Sequence, residues 1–162
     1  MAQEIERKFL VLNNGWRSFA STGSRFRQAY VAFMEDRSVR VRIIDDTDAR
    51  LTVKIGTSSM QREEFEYPVP IGDAEEMVRH AIGIVLEKTR YELTHEGYVW
   101  EVDVYDGAYH GLVIAEVELA DVHEQPPLPD WVGPEVTGDR RYSNQTLAME
   151  DLREELVNAI SH

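Results

Sequence analysis

Hydrophobic and polar residues alternate with a period of two along most of this chain. That pattern predicts eight strands, over residues 3–12, 25–34, 38–45, 49–57, 62–70, 86–95, 98–106 and 112–120. Hairpin turns are expected at Met34-Glu35-Asp36-Arg37, Asp45-Asp46-Thr47-Asp48 and His95-Glu96-Gly97. Short strands joined this way favour an antiparallel meander or barrel over a parallel α/β sheet. Helical spacing is rarer. Asn14 is placed to cap a short helix carrying Trp16 and Phe19. Asp73 with Glu76 resembles a capping box opening a helix that ends near Ile82. A last helix is expected from about 144 to 160, its apolar stripe Leu152, Leu156 and Ile160 facing the core. The stretch "EQPPLPDWVGPEVTGDRRYSN" before it reads as an ordered loop, so residues 1–162 form one domain.

The charges along these strands are not scattered. On a strand, side chains two apart share a face. Glu4, Glu6 and Lys8 share one, as do Arg40 with Arg42, Thr52 with Lys54, Arg62 with Glu64 and Glu66, Lys88 with Arg90, Glu101 with Asp103, and Glu116 with Glu118. The opposite faces carry Ile5, Phe9, Val41, Ile43, Val53, Phe65, Tyr67, Val102, Val104, Val117 and Leu119. One side of the whole sheet is therefore apolar and the other densely ionic. Ordinary inside-out alternation, with the ionic side in water, explains any single strand. It does not explain why acidic and basic pairs sit on different strands, since solubilising surfaces intersperse signs. Like-charged neighbours need partners from other strands or a ligand.

A sheet curled with its ionic side inward meets that need. Its interior cannot hold unpaired charges dry. Carboxylates at Glu4, Glu6, Glu101, Asp103, Glu116 and Glu118 suit a hard divalent cation. Arg40, Arg42, Lys54, Lys88 and Arg90 suit phosphate oxygens. Cations and carboxylates together point to a metal-bound polyphosphate.

Composition narrows the alternatives. With 17 Lys+Arg against 30 Asp+Glu, the net charge is −13, and no basic run offsets it. That field disfavours nucleic acid and anionic membrane as partners. There is no cysteine, which excludes a thiol nucleophile or thiolate metal site. The longest uncharged apolar run, Ala81 to Leu86, is too short to span a bilayer. The charged start "MAQEIERK" is unlike a signal peptide, so a cytoplasmic location is expected. The histidines at 80, 95, 110, 123 and 162 lack metal-ligand spacing, and no glycine-rich phosphate loop occurs. Gln28 and Tyr30 precede the basic strands and are candidates to face the interior, where core or rim packing is the plainer role. Trp16, Trp100 and Trp131 are expected to pack.

The amino-terminal Glu-x-Glu-x-Lys of "EIERK" resembles the signature of the CYTH superfamily, the triphosphate tunnel metalloenzymes. The likeness continues through "RQAYV", "VRVR", "LTVKIG", "REEFEYPVP", "EKTRYEL", "WEVDVY", "IAEVEL" and "EVTGDRRYSNQTLA". It is strongest to the small bacterial triphosphatases. The resemblance implies an eight-stranded antiparallel tunnel, a closed barrel with its charges inside and a few flanking helices. It implies a metal set of Glu4, Glu6, Glu116, Glu118 and Asp103, and triphosphate contacts from Lys8, Arg40, Arg42, Lys54, Lys88 and Arg90. Arg62, Glu64, Glu66 and Glu101 lie at tunnel parity with roles left open. Asp139, Arg140 or Arg141 is placed to close over the substrate.

The implied reaction is attack by water on a terminal phosphorus, assisted by two Mg2+ or Mn2+ ions. Glu4, Glu6 and Lys88 would be its catalytic residues, Lys88 either as a proton donor or as a fixed charge. Inorganic tripolyphosphate is the expected substrate. Thiamine triphosphatase and class IV adenylate cyclase are the alternatives within the fold, and a non-catalytic polyphosphate-binding domain is the third. A homodimer is compatible with the apolar outer face.

Overall fold

The computed structural model describes residues 5–56 and 63–158. Nine strands build one antiparallel sheet: β1 (Ile5–Val11), β2 (Ser24–Met34), β3 (Arg37–Ile44), β4 (Asp48–Ile55), β5 (Glu63–Pro68), β6 (Ile82–His95), β7 (Tyr98–Asp106), β8 (Val113–Leu119) and β9 (Val132–Glu135). Their spatial order is β5-β4-β3-β2-β6-β7-β8-β1-β9. Successive strands pair within β2–β5 and within β6–β8, as hairpin connections dictate. In the β6–β7 turn, Glu96 and Gly97 both take positive φ, 48° and 84°. Two such residues give a loop whose twist matches the flanking strands. In the β3–β4 turn Asp45 and Asp46 do the same, at 52° and 58°.

All eight expected strands are present. The ninth, β9, lies in the Pro/Gly-rich stretch expected to be a loop, and it pairs with Phe9 and Val11 of β1. Gly133 permits the approach, because a Cβ there would sit 3.0 Å from the Leu10 carbonyl oxygen. Pro134, which has no N–H to give, is tolerated because the strand is at the edge. Among the described residues the two edges, β5 and β9, are not paired with each other. The tunnel is thus a curled sheet, closed at one end by the carboxy-terminal segment.

Two apolar layers cover the outside. One gathers Phe9, Trp100, Val102, Ala115 and Val117 beneath the buried indoles of Trp16 and Trp131. The other packs Ala29, Val41, Ile43 and Ala49 against Ala74 of α1 (Ile71–Arg79). The outer face of β5 is open, with Phe65 at 41% and Tyr67 at 56% exposure. A third cluster lies within the curl. Leu86, Tyr105 and Ile114, at the ionic parity but farther along their strands, meet Leu147 and Ala148 of α2 (Asn144–Met149). The inward face is therefore ionic at one end and apolar at the other.

The helices depart from their expected limits. α1 begins at Ile71 after an extended Pro70, and Asp73 lies in its first turn instead of capping it. It ends at Arg79, so Ile82 belongs to β6. Near Asn14 there is only a single turn, Arg17–Phe19, with Trp16 buried and Phe19 exposed. The long helix expected over about 144–160 is broken. α2 stops at Met149, Glu150 is extended, and a second short turn spans Glu154–Asn158. The Tyr109 hydroxyl interrupts it, lying 2.5 Å from the Leu147 carbonyl, 3.0 Å from that of Glu150 and 3.3 Å from the Leu152 amide. Leu156 is buried and Leu152 packs against the same cluster, as the stripe required. Ile160 lies outside the described residues.

Candidate active site

The inward ionic rows meet in the middle of the sheet, where β6 pairs β7 with Arg90 opposite Asp103 and Lys88 opposite Tyr105. Asp103 is 3% exposed and binds two cations at once. Lys88 Nζ lies 2.9 Å from Oδ2, and Arg90 donates to both oxygens at 2.8 and 3.0 Å. Arg90 also reaches Glu101 at 3.0 Å. Burial opposes charge on Asp103, yet Lys88 and Arg90 pull its pKa down to about 2. Burial lowers the proton affinity of Lys88, which is only 2% exposed, while Asp103 raises it and Arg90 lowers it again. The Lys88 ammonium is boxed by the rings of Phe26 and Tyr105, at 6.0 and 5.6 Å.

β3 and β4 supply the opposite balance. Arg40, Arg42 and Lys54 rise from this side of the curl. Among the described residues no carboxylate comes within ion-pair distance of Arg40 or Arg42. The buried Nε of Arg40 has no hydrogen-bond partner among the described residues. Arg42 donates from Nε to the Gln28 side-chain oxygen at 3.1 Å and lies over the Phe26 ring at 5.4 Å. Burial first, then repulsion from Arg40 and Arg90, brings its pKa down to about 10. Glu66 on β5 and Asp103 on β7 act on Arg42 in the other direction. An arginine on β3 that feels both outlying strands lies inside a curl, not on a flat surface. Lys54 and Arg40 border an opening of about 580 Å3 shared with Arg140, Asn144, Gln145 and Glu150.

On β1 and β8 the carboxylates come together. Glu6 faces Glu118, and Lys8 faces Glu116, across the strand pair. Glu6, on the adjacent strand, acts on Glu116 as a hydrogen-bonding neighbour. Burial raises the proton affinity of Glu116, but that neighbour and Lys8, 3.5 Å away, outweigh it and lower the pKa. Two neighbouring carboxyl groups bind a proton or a cation between them, and all-oxygen donors suit a hard ion. Among the described residues no group of three or more such ligands is gathered tightly enough to hold a metal. Glu4, the remaining member of the expected set, lies outside the described residues, as does Arg62. Asp103, expected in that set, has both its oxygens engaged by Lys88 and Arg90. Glu118 is exposed at the rim. Glu64 and Glu66 lie opposite Lys54 and Thr52 on the edge strand.

The carboxy-terminal segment is tied to this surface from several sides. Lys8 Nζ donates to the Tyr142 carbonyl at 3.1 Å, and the Tyr105 hydroxyl donates to Asn144 Oδ1 at 3.1 Å. Ser143 caps α2 by accepting from the Thr146 amide at 3.2 Å. Arg140 pairs with Glu150 yet stays largely exposed at the opening. Arg141 is turned away, held by Asp139 and Glu155. Of the three residues expected to close the tunnel, Arg140 alone borders the opening. Phe26, Tyr105 and Asn144 had no place in the sequence argument. Tyr105 shares the parity of Glu101 and Asp103, which was the available signal, whereas the charges of the strand that carries Phe26, Arg25 and Arg27, lie at the other parity.

Residues 2–147 match the CYTH domain family. The chain is 45% identical over 148 residues to an inorganic triphosphatase of Acetivibrio thermocellus, covering 91% of this chain and 94% of that one. It is 33% identical over 150 residues to an inorganic triphosphatase of Nitrosomonas europaea, covering 90% and 97%. Among solved structures, the inorganic triphosphatase NE1496 aligns with a TM-score of 0.74 and 30% identity, over 93% of this chain and 97% of that one.

Proposed function

The chain belongs to the CYTH domain family, and we propose that it hydrolyses inorganic tripolyphosphate to pyrophosphate and phosphate with the help of a divalent cation. The observation that carries the reading is the division of charge within one curl. Arg40 and Arg42 have no carboxylate partner among the described residues, while Glu6 and Glu116 are neighbours on the adjacent strands β1 and β8. Cations without counterions attract a polyanion, and neighbouring carboxylates attract a metal that the same polyanion also binds. The relatives' activity is in keeping with this chemistry.

In this reading Arg40, Arg42 and Lys54 grip the phosphate chain, with Arg140 at the opening and Lys8 and Arg90 on the far side. Asp103 fixes Arg90 and Lys88, so that neither can turn away as charge spreads over the phosphoryl oxygens. Of the two roles open to Lys88, its enclosed ion pair supports the fixed charge over the proton donor. Glu6 and Glu116, with Glu4 and Glu118, would hold Mg2+ or Mn2+. A bound ion of this kind neutralises phosphate oxygens and acidifies water. The small-molecule triphosphate would be the partner in the cytoplasm, and the open outer face of β5 leaves room for a homodimer. Among the described residues no helix is long and apolar enough to cross a membrane.

The test is a panel of tripolyphosphate, ATP and thiamine triphosphate, each with Mg2+ or Mn2+. Phosphate release fastest from tripolyphosphate supports the proposal. Cyclic AMP and pyrophosphate from ATP would replace it with the cyclase reading, and binding without turnover would replace it with a binding domain.

A further inference from the structure

The inward row of β2 carries no charge, although it runs between the cationic strands β3 and β6. Phe26, Gln28 and Tyr30 occupy it, opposite Ile44, Arg42 and Arg40 of β3. Gln28 is 1% exposed. Its Oε1 accepts the Arg42 Nε–H at 3.1 Å, and its Nε2 is buried without a partner among the described residues. The amide orientation is fixed by chemistry: turned over, its NH2 group would face a guanidinium N–H, donor against donor. A wholly buried amide whose two Nε2–H groups are both unanswered is costly. An apolar side chain of similar size would avoid that cost if packing were the only purpose.

We infer that Gln28 is a positioning residue for triphosphate binding, a neutral clamp that fixes the plane of the Arg42 guanidinium without cancelling its charge. The contrast lies one strand away. Arg90, on the other side of β2, is held by the carboxylates of Asp103 and Glu101, and its positive charge is met within the protein. Arg42 is held at Nε by a neutral oxygen and on its face by the Phe26 ring, at 5.4 Å. Both restraints act on Nε and the ring face. The terminal nitrogens, the part of the fork that meets a phosphate in bidentate fashion, are left for the ligand. A carboxylate at position 28 would hold Arg42 at least as firmly, but would compete with the substrate for it.

The inference rests on the triphosphate reading, so its test measures affinity as well as turnover. Tripolyphosphate binding is followed by calorimetry in Gln28→Glu, Gln28→Leu, Arg42→Lys and the Gln28→Leu/Arg42→Lys double variant, with thermal melts alongside. Lysine has no Nε–H fork for Gln28 to hold. Gln28→Leu should weaken tripolyphosphate binding about tenfold in the native background, the scale of a charge-assisted hydrogen bond. In the Arg42→Lys background it should add almost nothing. Gln28→Glu should weaken binding by at least as much while the melting temperature stays level or rises. Equal losses from Gln28→Leu in both backgrounds would overturn the inference and leave Gln28 a packing residue. So would wild-type affinity in Gln28→Glu. Failure of the native protein to bind tripolyphosphate at all would instead remove the triphosphate reading beneath it.

Discussion

Replacing Asp103 by Asn keeps the shape of the side chain and removes the charge that buried Lys88 and half-buried Arg90 share. Lys88 is 2% exposed and its ammonium has Asp103 as its carboxylate partner at 2.9 Å. Breaking a buried pair by deleting one member costs about 3–5 kcal/mol, because the other charge is left without compensation. For a chain of this size about 2–4 °C is lost per kcal/mol, so the melting temperature should fall by about 10 °C. Part of the loss depends on pH. The Asp103 pKa falls from 3.8 to about 2 on folding, a contribution of about 2 kcal/mol at about 1.4 kcal/mol per tenfold change. Because the folded pKa is the lower one, this stability is fully present above about pH 4 and is lost as pH falls towards 2. Denaturant melts of wild type and Asp103→Asn should therefore differ most near neutrality and converge between about pH 4 and pH 2. Adding Lys88→Met to Asp103→Asn should restore part of the stability by removing the stranded charge. A variant within about 1 kcal/mol of wild type at pH 7 would refute the reasoning. So would a gap that stays constant down to pH 2, or a Lys88→Met cost that simply adds.

Other outcomes follow from the same geometry. Arg42→Ala should raise the KM for tripolyphosphate by tenfold or more, read by steady-state kinetics, and should lower the melting temperature by less than Asp103→Asn does, since among the described residues it strands the neutral Gln28 oxygen and no carboxylate. Leu147→Ala opens a hole where α2 plugs the curl, and should cost about 2–5 kcal/mol in a denaturant melt. Gly83→Ala should also destabilise, because its φ is +71° and a Cβ would lie 2.2 Å from the Ala148 carbonyl oxygen. A chelator should abolish phosphate release and added Mg2+ or Mn2+ should restore it.

The pairing of faces was legible because a strand has only two sides. Once Lys88 and Arg90 share a side with Glu101 and Asp103, antiparallel pairing brings them into contact. Period-two alternation carries no information about depth along a strand, however. Leu86, Tyr105 and Ile114 have the same parity as Lys88, Asp103 and Glu116, yet they form the apolar end beneath α2. Nor could it reveal that Asp103 would pair with both Lys88 and Arg90, since that depends on which cation sits one strand away. The break in the last helix was invisible for a related reason. It comes from the Tyr109 hydroxyl, some forty residues distant in sequence. The short β9 was hidden by Gly133 and Pro134, residues that oppose a central strand but suit an edge.

The central claim is that the curl is built to cleave a triphosphate with a metal ion. Phosphorus NMR of tripolyphosphate incubated with the pure protein and Mg2+ or Mn2+ tests it most directly. The account predicts pyrophosphate and orthophosphate appearing in equal amounts, with no turnover in the presence of a chelator. Unchanged tripolyphosphate under every metal condition would contradict it.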